Sequence, residues 1–203
     1  MNTPVESRNQ YSVQIFNGVK LDHSHLNASE FIDCTFRVCS FIETIFQHCR
    51  FINCRFLDCD LSLTQFPGST LFGVIFKDSK LIGIDWTQVE WSALGIGDPI
   101  EFHKCSINHS TFIGLELSEV MIRDCSALDV DFREADLTQA DFSGTNLSGS
   151  LFINTNLTGA DLSRARNYHI KPEENVLTGA KFSLPEAMSL LYSMDIVMSE
   201  VDD

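Results

Sequence analysis

A large apolar residue recurs at every fifth position of this chain in two long runs. The first run extends from Phe16 to Trp91 and the second from Phe102 to Leu162. A small residue usually stands two positions earlier, as Cys34 stands before Phe36. A period of five is neither the 3.6 of a helix nor the 2 of a strand. It predicts a solenoid in which each pentad forms one side of a coil and points its large and small residues inward.

Phenylalanine supplies most of the large central residues. Fourteen of the 16 phenylalanines lie at central positions of the two runs, and Phe182 keeps the phase of the second run. Phe72 alone falls outside the pattern. With 44% hydrophobic residues, the composition is that of a chain with a core and not of a disordered acidic tail.

The two runs differ in phase by one residue. The break lies between Trp91 and Phe102, where Gly95, Gly97 and Pro99 favour a turn. We expect a bulge or short kinked loop over residues 92–100, with one residue inserted into the coil. The pentads then predict about seven coils, which at a strand spacing of about 4.8 Å form a rod of about 35 Å.

Several pentads carry a recognisable consensus. Ala135-Asp-Leu-Thr-Gln and Ala160-Asp-Leu-Ser-Arg resemble the A(D/N)LXX unit of the pentapeptide-repeat family. The resemblance covers most of the chain. It implies an all-β fold, a right-handed quadrilateral β-helix with four pentads per coil.

The C-terminal pattern is helical. Residues 1–10 are expected to be a tail, 11–165 the β-helix, and 166–203 a segment that caps the last coil and forms a dimer. Ser183 and Glu186 have the spacing of a capping box, Pro185 falls in the first turn, and residues 196–198 could add a short strand. A purely intramolecular cap remains the alternative. The expected dimer residues are apolar and lie at helical spacing: Ala187, Leu190, Leu191, Met194 and Ile196.

The charge of the chain excludes several classes of function. It has 28 acidic and 14 basic residues and a net charge of −14, so a basic DNA-binding surface is not expected. No apolar run approaches the roughly 18 residues of a membrane span. Met1–Gln10 is polar and lacks the apolar stretch of a signal peptide. We therefore expect a cytoplasmic protein with reduced cysteines.

No catalytic or metal site is expected. All seven cysteines occupy the small inward position, where packing is a better explanation than disulfides or zinc binding. The histidines are scattered, and none accompanies a nucleophile and an acidic residue in a catalytic pattern. The sequence therefore predicts a non-enzymatic protein without cofactors.

The acidic residues can be assigned to faces, given four pentads per coil and one inserted residue. Glu30, Asp33, Glu90, Asp131 and Glu134 are expected on one face. Asp58, Asp78, Glu116, Glu119 and Asp136 are expected on an adjacent face, and Asp141 and Asp161 on a third. Solvation alone could explain this pattern, since the repeat itself supplies an acidic residue. The alternative is a surface that imitates DNA. Its candidate residues are Glu90, Glu116, Glu119, Asp131, Glu134, Asp136, Asp141 and Asp161.

A second resemblance bears on function. Asn167-Tyr-His-Ile170, Phe182-Ser-Leu-Pro-Glu-Ala187 and Gly83-Ile-Asp-Trp-Thr87 are similar to segments of the gyrase-interacting pentapeptide-repeat group. That group includes albicidin-resistance, microcin-immunity and quinolone-resistance (Qnr) proteins. The resemblance implies a homodimer that binds DNA gyrase, with topoisomerase IV as a second target, and protects it from poisons. The long loops of Qnr proteins are missing here. A scaffold or adaptor for an unrelated protein partner is the alternative.

Overall fold

The computed structural model describes residues 5–91, 100–194 and 196, which form a β-solenoid of about eight turns. Its strands are short because the chain turns a corner at every fifth residue. In chain order the elements are β1 (Gln10–Ser12), β2 (Ile15–Asn17), β3 (His25–Asn27), β4 (Glu30–Ile32), β5 (Thr35–Arg37), β6 (Ile45–Gln47), β7 (Arg50–Ile52), β8 (Arg55–Leu57), β9 (Thr70–Phe72), β10 (Ile75–Lys77), β11 (Glu101–His103), β12 (Met121–Arg123), β13 (Asp161–Leu162), β14 (Lys181–Phe182) and α1 (Met188–Ser193), with 3-10 turns at Trp86–Gln88 and Pro172–Glu174.

Neighbouring strands are parallel and separated by 20 residues, so that Phe31 pairs with Phe51 and Phe36 with Phe56. One turn therefore contains four pentads, and the predicted quadrilateral β-helix with a short C-terminal helix is confirmed. We number the four faces 1 to 4 in the order in which the chain visits them within one turn, and we identify each face by its stacked central residues. The first central residue, Tyr11, lies on face 2. Face 1 contains Leu26, Phe46, Phe66 and Trp86; face 2 contains Tyr11, Phe31, Phe51 and Leu71; face 3 contains Phe16, Phe36, Phe56 and Phe76; and face 4 contains Leu21, Phe41, Leu61 and Leu81.

The interior is filled by the central residues and their small partners, as the pentads predict. Phe36 and Phe56 stack with ring centroids 4.6 Å apart, within the range of favourable aromatic pairs. Small polar residues are buried beside the rings and donate to carbonyls of the preceding turn. The Thr64 hydroxyl donates to the Phe41 carbonyl over 2.8 Å. All seven cysteines are buried and free of disulfides, which confirms their assignment to the core.

One turn of the solenoid is longer than the others. Phe76 pairs with Phe102, and Trp86 stacks on Phe112, so this turn contains 26 residues. The chain thus inserts six residues, and the expectation of one inserted residue was wrong. Six residues equal one pentad and one further residue, so the phase of the pentads changes by only one. Residues 92–99, with the glycines and proline expected to form a bulge, lie outside the described residues.

The coiling also continues beyond the boundary at residue 165 that the broken pentads suggest. Asn146 pairs with Arg166, Asn156 with Val176, and Asp161 with Lys181. Residues 166–182 therefore belong to the solenoid although their sequence has lost the repeat. Among the described residues, no helix is both long enough and apolar enough to cross a membrane.

The C-terminal helix packs on the last turn, but it does not begin with the predicted capping box. Helix α1 starts at Met188, and Ala187 at its N-cap makes no side-chain cap. The Ser183 hydroxyl instead accepts from the Arg164 backbone N–H over 2.8 Å, and a Glu186 carboxylate oxygen accepts from the Asn167 N–H over 3.0 Å. Both side chains satisfy backbone groups at the open end of the solenoid, which would otherwise lose their partners.

Candidate partner-binding acidic face

The 26-residue turn regroups the acidic residues. Phe112 stacks on Trp86, so the next pentad, which is centred on Leu117, follows face 1 and lies on face 2. This places acids from both halves of the chain on one face. By sequence position, Arg50 is the one basic residue of this face. The acids of face 2 are Glu30, Asp33, Glu90, Glu116, Glu119 and Asp136.

The expected pair of adjacent acidic faces was therefore wrong. Asp131 and Glu134 flank Phe132, which stacks on Phe112 and lies on face 1. Asp58 and Asp78 lie on face 3. The cause is the insertion, since six extra residues shift every later pentad by one face relative to the one-residue expectation. Asp141 and Asp161 pair on successive turns of face 3, as their spacing predicts.

Several of the aspartates are required by the fold itself. The Asp136 carboxylate accepts from the Thr138 backbone N–H over 3.0 Å and from the Thr138 hydroxyl over 2.6 Å. Asp141 and Asp161 accept in the same way from the N–H groups two residues on, each over 2.8 Å. This is the local turn that aspartate and asparagine favour. It explains why the repeat prefers aspartate or asparagine before the central residue.

Three of the candidate aspartates take part in ion pairs. The longest joins an oxygen of Asp161 to Nζ of Lys181 over 3.9 Å. A nitrogen of Arg133 lies 2.7 Å from an oxygen of Asp131, and a nitrogen of Arg123 lies 2.7 Å from an oxygen of Asp141. The Arg133 guanidinium lowers the pKa of Asp131 against the opposing effect of partial burial. Partial burial would raise the pKa of Asp141, but hydrogen bonds from Ser143 and the charge of Arg123 outweigh it and lower the pKa.

The four candidate glutamates differ from these aspartates. Glu90, Glu116, Glu119 and Glu134 are exposed, and none forms a side-chain hydrogen bond or ion pair with the part of the chain that the structure describes. Three of them lie on face 2. There the backbone of Glu116 forms a parallel bridge with that of Asp136 on the next turn, so the two carboxylates are neighbours. The charges of the four glutamates are therefore directed to solvent and remain available to a partner.

The negative charge of face 2 is concentrated in its C-terminal half. In the N-terminal half, a guanidinium nitrogen of Arg50 lies 2.7 Å from a carboxylate oxygen of Glu30 and neutralises its charge. We define the acidic face as Glu90, Glu116, Glu119 and Asp136. Parallel strands about 4.8 Å apart hold such side chains at a fixed spacing along a rigid rod. A rigid array of this kind attracts an extended basic surface.

The C-terminal segment presents a second candidate surface. The predicted apolar stripe divides in two, because Leu190 packs against the core while Leu191 and Met194 are exposed. Ala187 is half-buried on the cap. Sequence reasoning missed Leu184 and Tyr192, which the side-chain exposures reveal. We define the C-terminal apolar surface by its exposed members, which are Leu184 (76% exposed), Leu191 (36%), Tyr192 (61%), Met194 (49%) and Ile196 (42%).

The described residues show no groups arranged for catalysis. Burial raises the pKa of the Cys54 thiol to about 12. The hydrogen bond with Cys59 lowers the pKa of the Cys39 thiol to about 7, but Cys39 is buried in the core, where a substrate does not reach it. No cluster of three or more potential metal ligands occurs in the ranges that the structure describes. The features that remain are the acidic face on the shaft and the apolar surface at one end.

Two family models match the sequence. A pentapeptide repeat region covers residues 29–98, and a model of eight pentapeptide-repeat copies covers residues 131–166. The fold is a quadrilateral β-solenoid, the architecture expected for this family. The chain belongs to the pentapeptide-repeat proteins. Among curated proteins, no match to the sequence is found.

Solved structures of pentapeptide-repeat proteins share the fold at low sequence identity. A trypsin-treated form of QnrB1, a plasmid-mediated fluoroquinolone resistance protein, matches with a TM-score of 0.72 and 16% identity over 94% of this chain and 97% of that chain. HetL, involved in heterocyst differentiation regulation in the cyanobacterium Nostoc sp. strain PCC 7120, matches with a TM-score of 0.63 and 15% identity over 86% of each chain. At these identities the likeness shows the fold.

Proposed function

We propose that this chain is a DNA mimic that binds bacterial type II topoisomerase and protects it from topoisomerase-poisoning antibiotics. DNA gyrase is the first candidate target and topoisomerase IV the second. The observation that carries the proposal is the acidic face, where Glu90, Glu116 and Glu119 point unpaired charges from a rigid rod. The fold that this chain shares with QnrB1 supports it.

Charge density makes such mimicry physically reasonable. B-form DNA carries one charge per about 1.7 Å of its axis. About eight turns of this solenoid extend over about 38 Å, and each chain carries a net charge of −14. The rod is thus less densely charged than DNA but has the same sign and an elongated form. A basic groove that accepts duplex DNA would attract it in the same way.

We also propose that the C-terminal apolar surface joins two chains end to end. Leu191, Tyr192 and Met194 are exposed within four consecutive residues at the C-terminal end of the solenoid, and exposed apolar groups of this size mark interaction sites. A symmetric contact through this end would double the length of the rod. We place the protein in the cytoplasm, where a bacterial topoisomerase acts on DNA.

The decisive experiment measures how the protein binds purified gyrase and protects it from poisons. We expect the protein to protect gyrase from cleavage-complex formation by albicidin or ciprofloxacin at micromolar concentration and to bind it with a steep salt dependence. A variant with Glu90→Gln, Glu116→Gln and Glu119→Gln should bind gyrase roughly 10-fold or more weakly. The matched control, Glu6→Gln with Glu43→Gln and Glu173→Gln, removes the same charge from other surfaces and should bind normally.

Two results would contradict the proposal. One is the absence of both binding and protection by the folded wild-type protein. The other is an equal loss of binding in the acidic-face variant and in its control, which would assign the effect to net charge alone.

A scaffold or adaptor role is the second candidate. It is favoured by the fold shared with HetL, which is involved in heterocyst differentiation regulation, and by exposed apolar residues on the shaft such as Val38 and Leu63. An adaptor that binds through apolar contacts should keep its affinity at high salt, whereas a DNA mimic should lose it. Gyrase binding at low salt that is lost at high salt would support the DNA mimic, whereas an adaptor for an unrelated partner should not bind gyrase at low salt.

A further inference from the structure

The N-terminal half of face 2 carries an apolar column on its outer surface. Ile32, Ile52 and Phe72 follow one another in register on β4, β7 and β9. These positions point outward, because the residue before each of them is the inward central residue of its pentad. Phe72 is 37% exposed and is the one phenylalanine with a large exposed fraction among the described residues. The repeat does not require an aromatic side chain at this position.

The apolar surface continues around the corner onto face 3. Gly73, which forms the corner at a φ of 59°, places no side chain between Phe72 and Ile75. A Cβ at this position would lie 2.7 Å from the side-chain oxygen of Asn53, so the close packing favours glycine here. Ile75 pairs with Arg55 on β8, and Lys77 pairs with Leu57. On these two turns, apolar and basic side chains therefore alternate on the outer side of face 3. Glu101 and His103 follow in register on the next turn.

Three cations border this surface. Arg37, Leu57 and Lys77 form one column along face 3, and Arg55 lies in the neighbouring column beside Ile75. The side chains of Arg37, Arg55 and Lys77 are exposed and make no hydrogen bond or ion pair within the described ranges. The nearby corner acids Asp58 and Asp78 form no ion pair with them in those ranges. We define the corner patch as Ile32, Ile52, Leu57, Phe72, Ile75, Arg37, Arg55 and Lys77.

We propose that the corner patch binds a protein segment that combines acidic and apolar side chains. Unpaired cations on face 3 and an exposed aromatic ring across the corner complement such a segment in both charge and polarity. The chain as a whole carries a net charge of −14, so its surface outside the patch would repel an acidic partner. Binding is therefore confined to this patch, in the opposite half of the shaft from Glu116, Glu119 and Asp136. The proposal does not depend on the function of the acidic face.

The test uses the full chain and a fluorescein-labelled 12-residue peptide in which glutamate alternates with isoleucine and phenylalanine. We expect saturable binding by fluorescence anisotropy with a Kd on the order of 10–100 μM, as for weak peptide recognition. Binding should weaken at high salt. A peptide with lysine in place of glutamate should bind roughly 10-fold more weakly.

Variants locate the binding to the patch. Phe72→Ser and Arg55→Glu should each weaken binding about fivefold or more, because both remove central contacts. Arg55→Gln removes the charge alone and serves as a milder second variant. The matched controls are Ile153→Ser, at a side chain 39% exposed on face 1, and Arg164→Glu, at an exposed cation further along face 3. Both should bind the peptide as the wild type does.

Several outcomes would overturn the proposal. They are the absence of saturable binding by the wild type, equal binding of the lysine peptide, and unchanged binding by the folded Phe72→Ser and Arg55→Glu variants. Light scattering tests whether a second copy of this chain, and not a peptide segment, occupies the corner patch. A lower mass for Phe72→Ser than for the wild type would show that a second copy of this chain covers the patch.

Discussion

The ring of Trp86 stacks on that of Phe112, 26 residues further along the chain, with their centroids 5.6 Å apart. Through this contact the stack of aromatic rings in the core continues past the position where the repeat changes phase. It also decides which surface every later residue occupies. Because of it, Glu116, Glu119 and Asp136 share a face with Glu90.

Phe112→Ala should destabilise the protein by about 3–5 kcal/mol, the usual cost of removing a buried aromatic ring. Phe112 is fully buried between Trp86 and Phe132. Urea unfolding followed by circular dichroism measures the loss. The matched control is Phe72→Ala, whose ring is 37% exposed and which should cost less than about 1 kcal/mol. Equal losses from the two variants would contradict the assignment of Phe112 to the core.

Glu186→Ala should expose the Asn167 amide, since the Glu186 carboxylate accepts its hydrogen bond over 3.0 Å. We expect the hydrogen exchange of this amide to accelerate roughly 10-fold, with a loss of about 1 kcal/mol in stability. Exchange monitored by NMR gives the result directly. Glu173→Ala, at an exposed glutamate, is the control. An unchanged exchange rate at Asn167, with a loss of helix instead, would favour the capping box.

The double variant Leu191→Glu, Tyr192→Glu should be monomeric. It places two charges in the C-terminal apolar surface, where contact with a second chain would bury them at high cost. Light scattering should report the mass of one chain for the variant and of two chains for the wild type. Leu151→Glu, at a residue 44% exposed on the shaft, should remain a dimer. A monomeric wild type would contradict the proposed dimer.

Stability should fall as the pH drops below about 4. Asp131 and Asp141 have lowered pKa values in the folded state. Their stabilisation is therefore complete above the unfolded-state pKa, which is about 3.9, and is lost as the pH falls through the folded-state values. Both ion pairs are partly exposed, so the combined contribution is about 1 kcal/mol or less.

Urea unfolding at pH 6 and pH 3 tests this dependence. The double variant Asp131→Asn, Asp141→Asn keeps an acceptor for the backbone N–H groups and removes the charges. It should be less stable than the wild type at pH 6 and should lose less stability at pH 3. Glu134→Gln, which removes a charge without an ion pair in the described residues, should follow the wild type. An equal pH dependence in the double variant and the wild type would exclude these two carboxylates as its source.

Much of the fold could be predicted because one pentad repeats so often. The inward position of Phe36 or Cys34 depends only on the local geometry of its own pentad, so each repeat confirms the others. The acidic face could not be predicted in the same way. The position of Glu116 around the rod depends on how many residues leave the coil before it, and a phase change of one residue is compatible with one inserted residue or with six.

The C-terminal end shows the same limit. Ser183 and Glu186 have the spacing of a capping box, but their oxygens accept from backbone N–H groups of Arg164 and Asn167 in the last turn. The sequence contains no signal for that choice, because the donors become unpaired only when the coil ends there. Residues 166–182 also keep the coil without the repeat, since backbone pairing with the preceding turn does not require a particular side chain.

The sequence by itself determined the solenoid, its interior and its negative charge, because the pentad period and the composition are local properties of the chain. Only the tertiary structure decided that one turn contains six extra residues, that Glu90, Glu116 and Glu119 share face 2 and that Phe72 and Ile75 lie on either side of the Gly73 corner. These relations join residues on different turns. They are fixed by the register between turns, which backbone hydrogen bonds and stacked rings such as Trp86 and Phe112 set together.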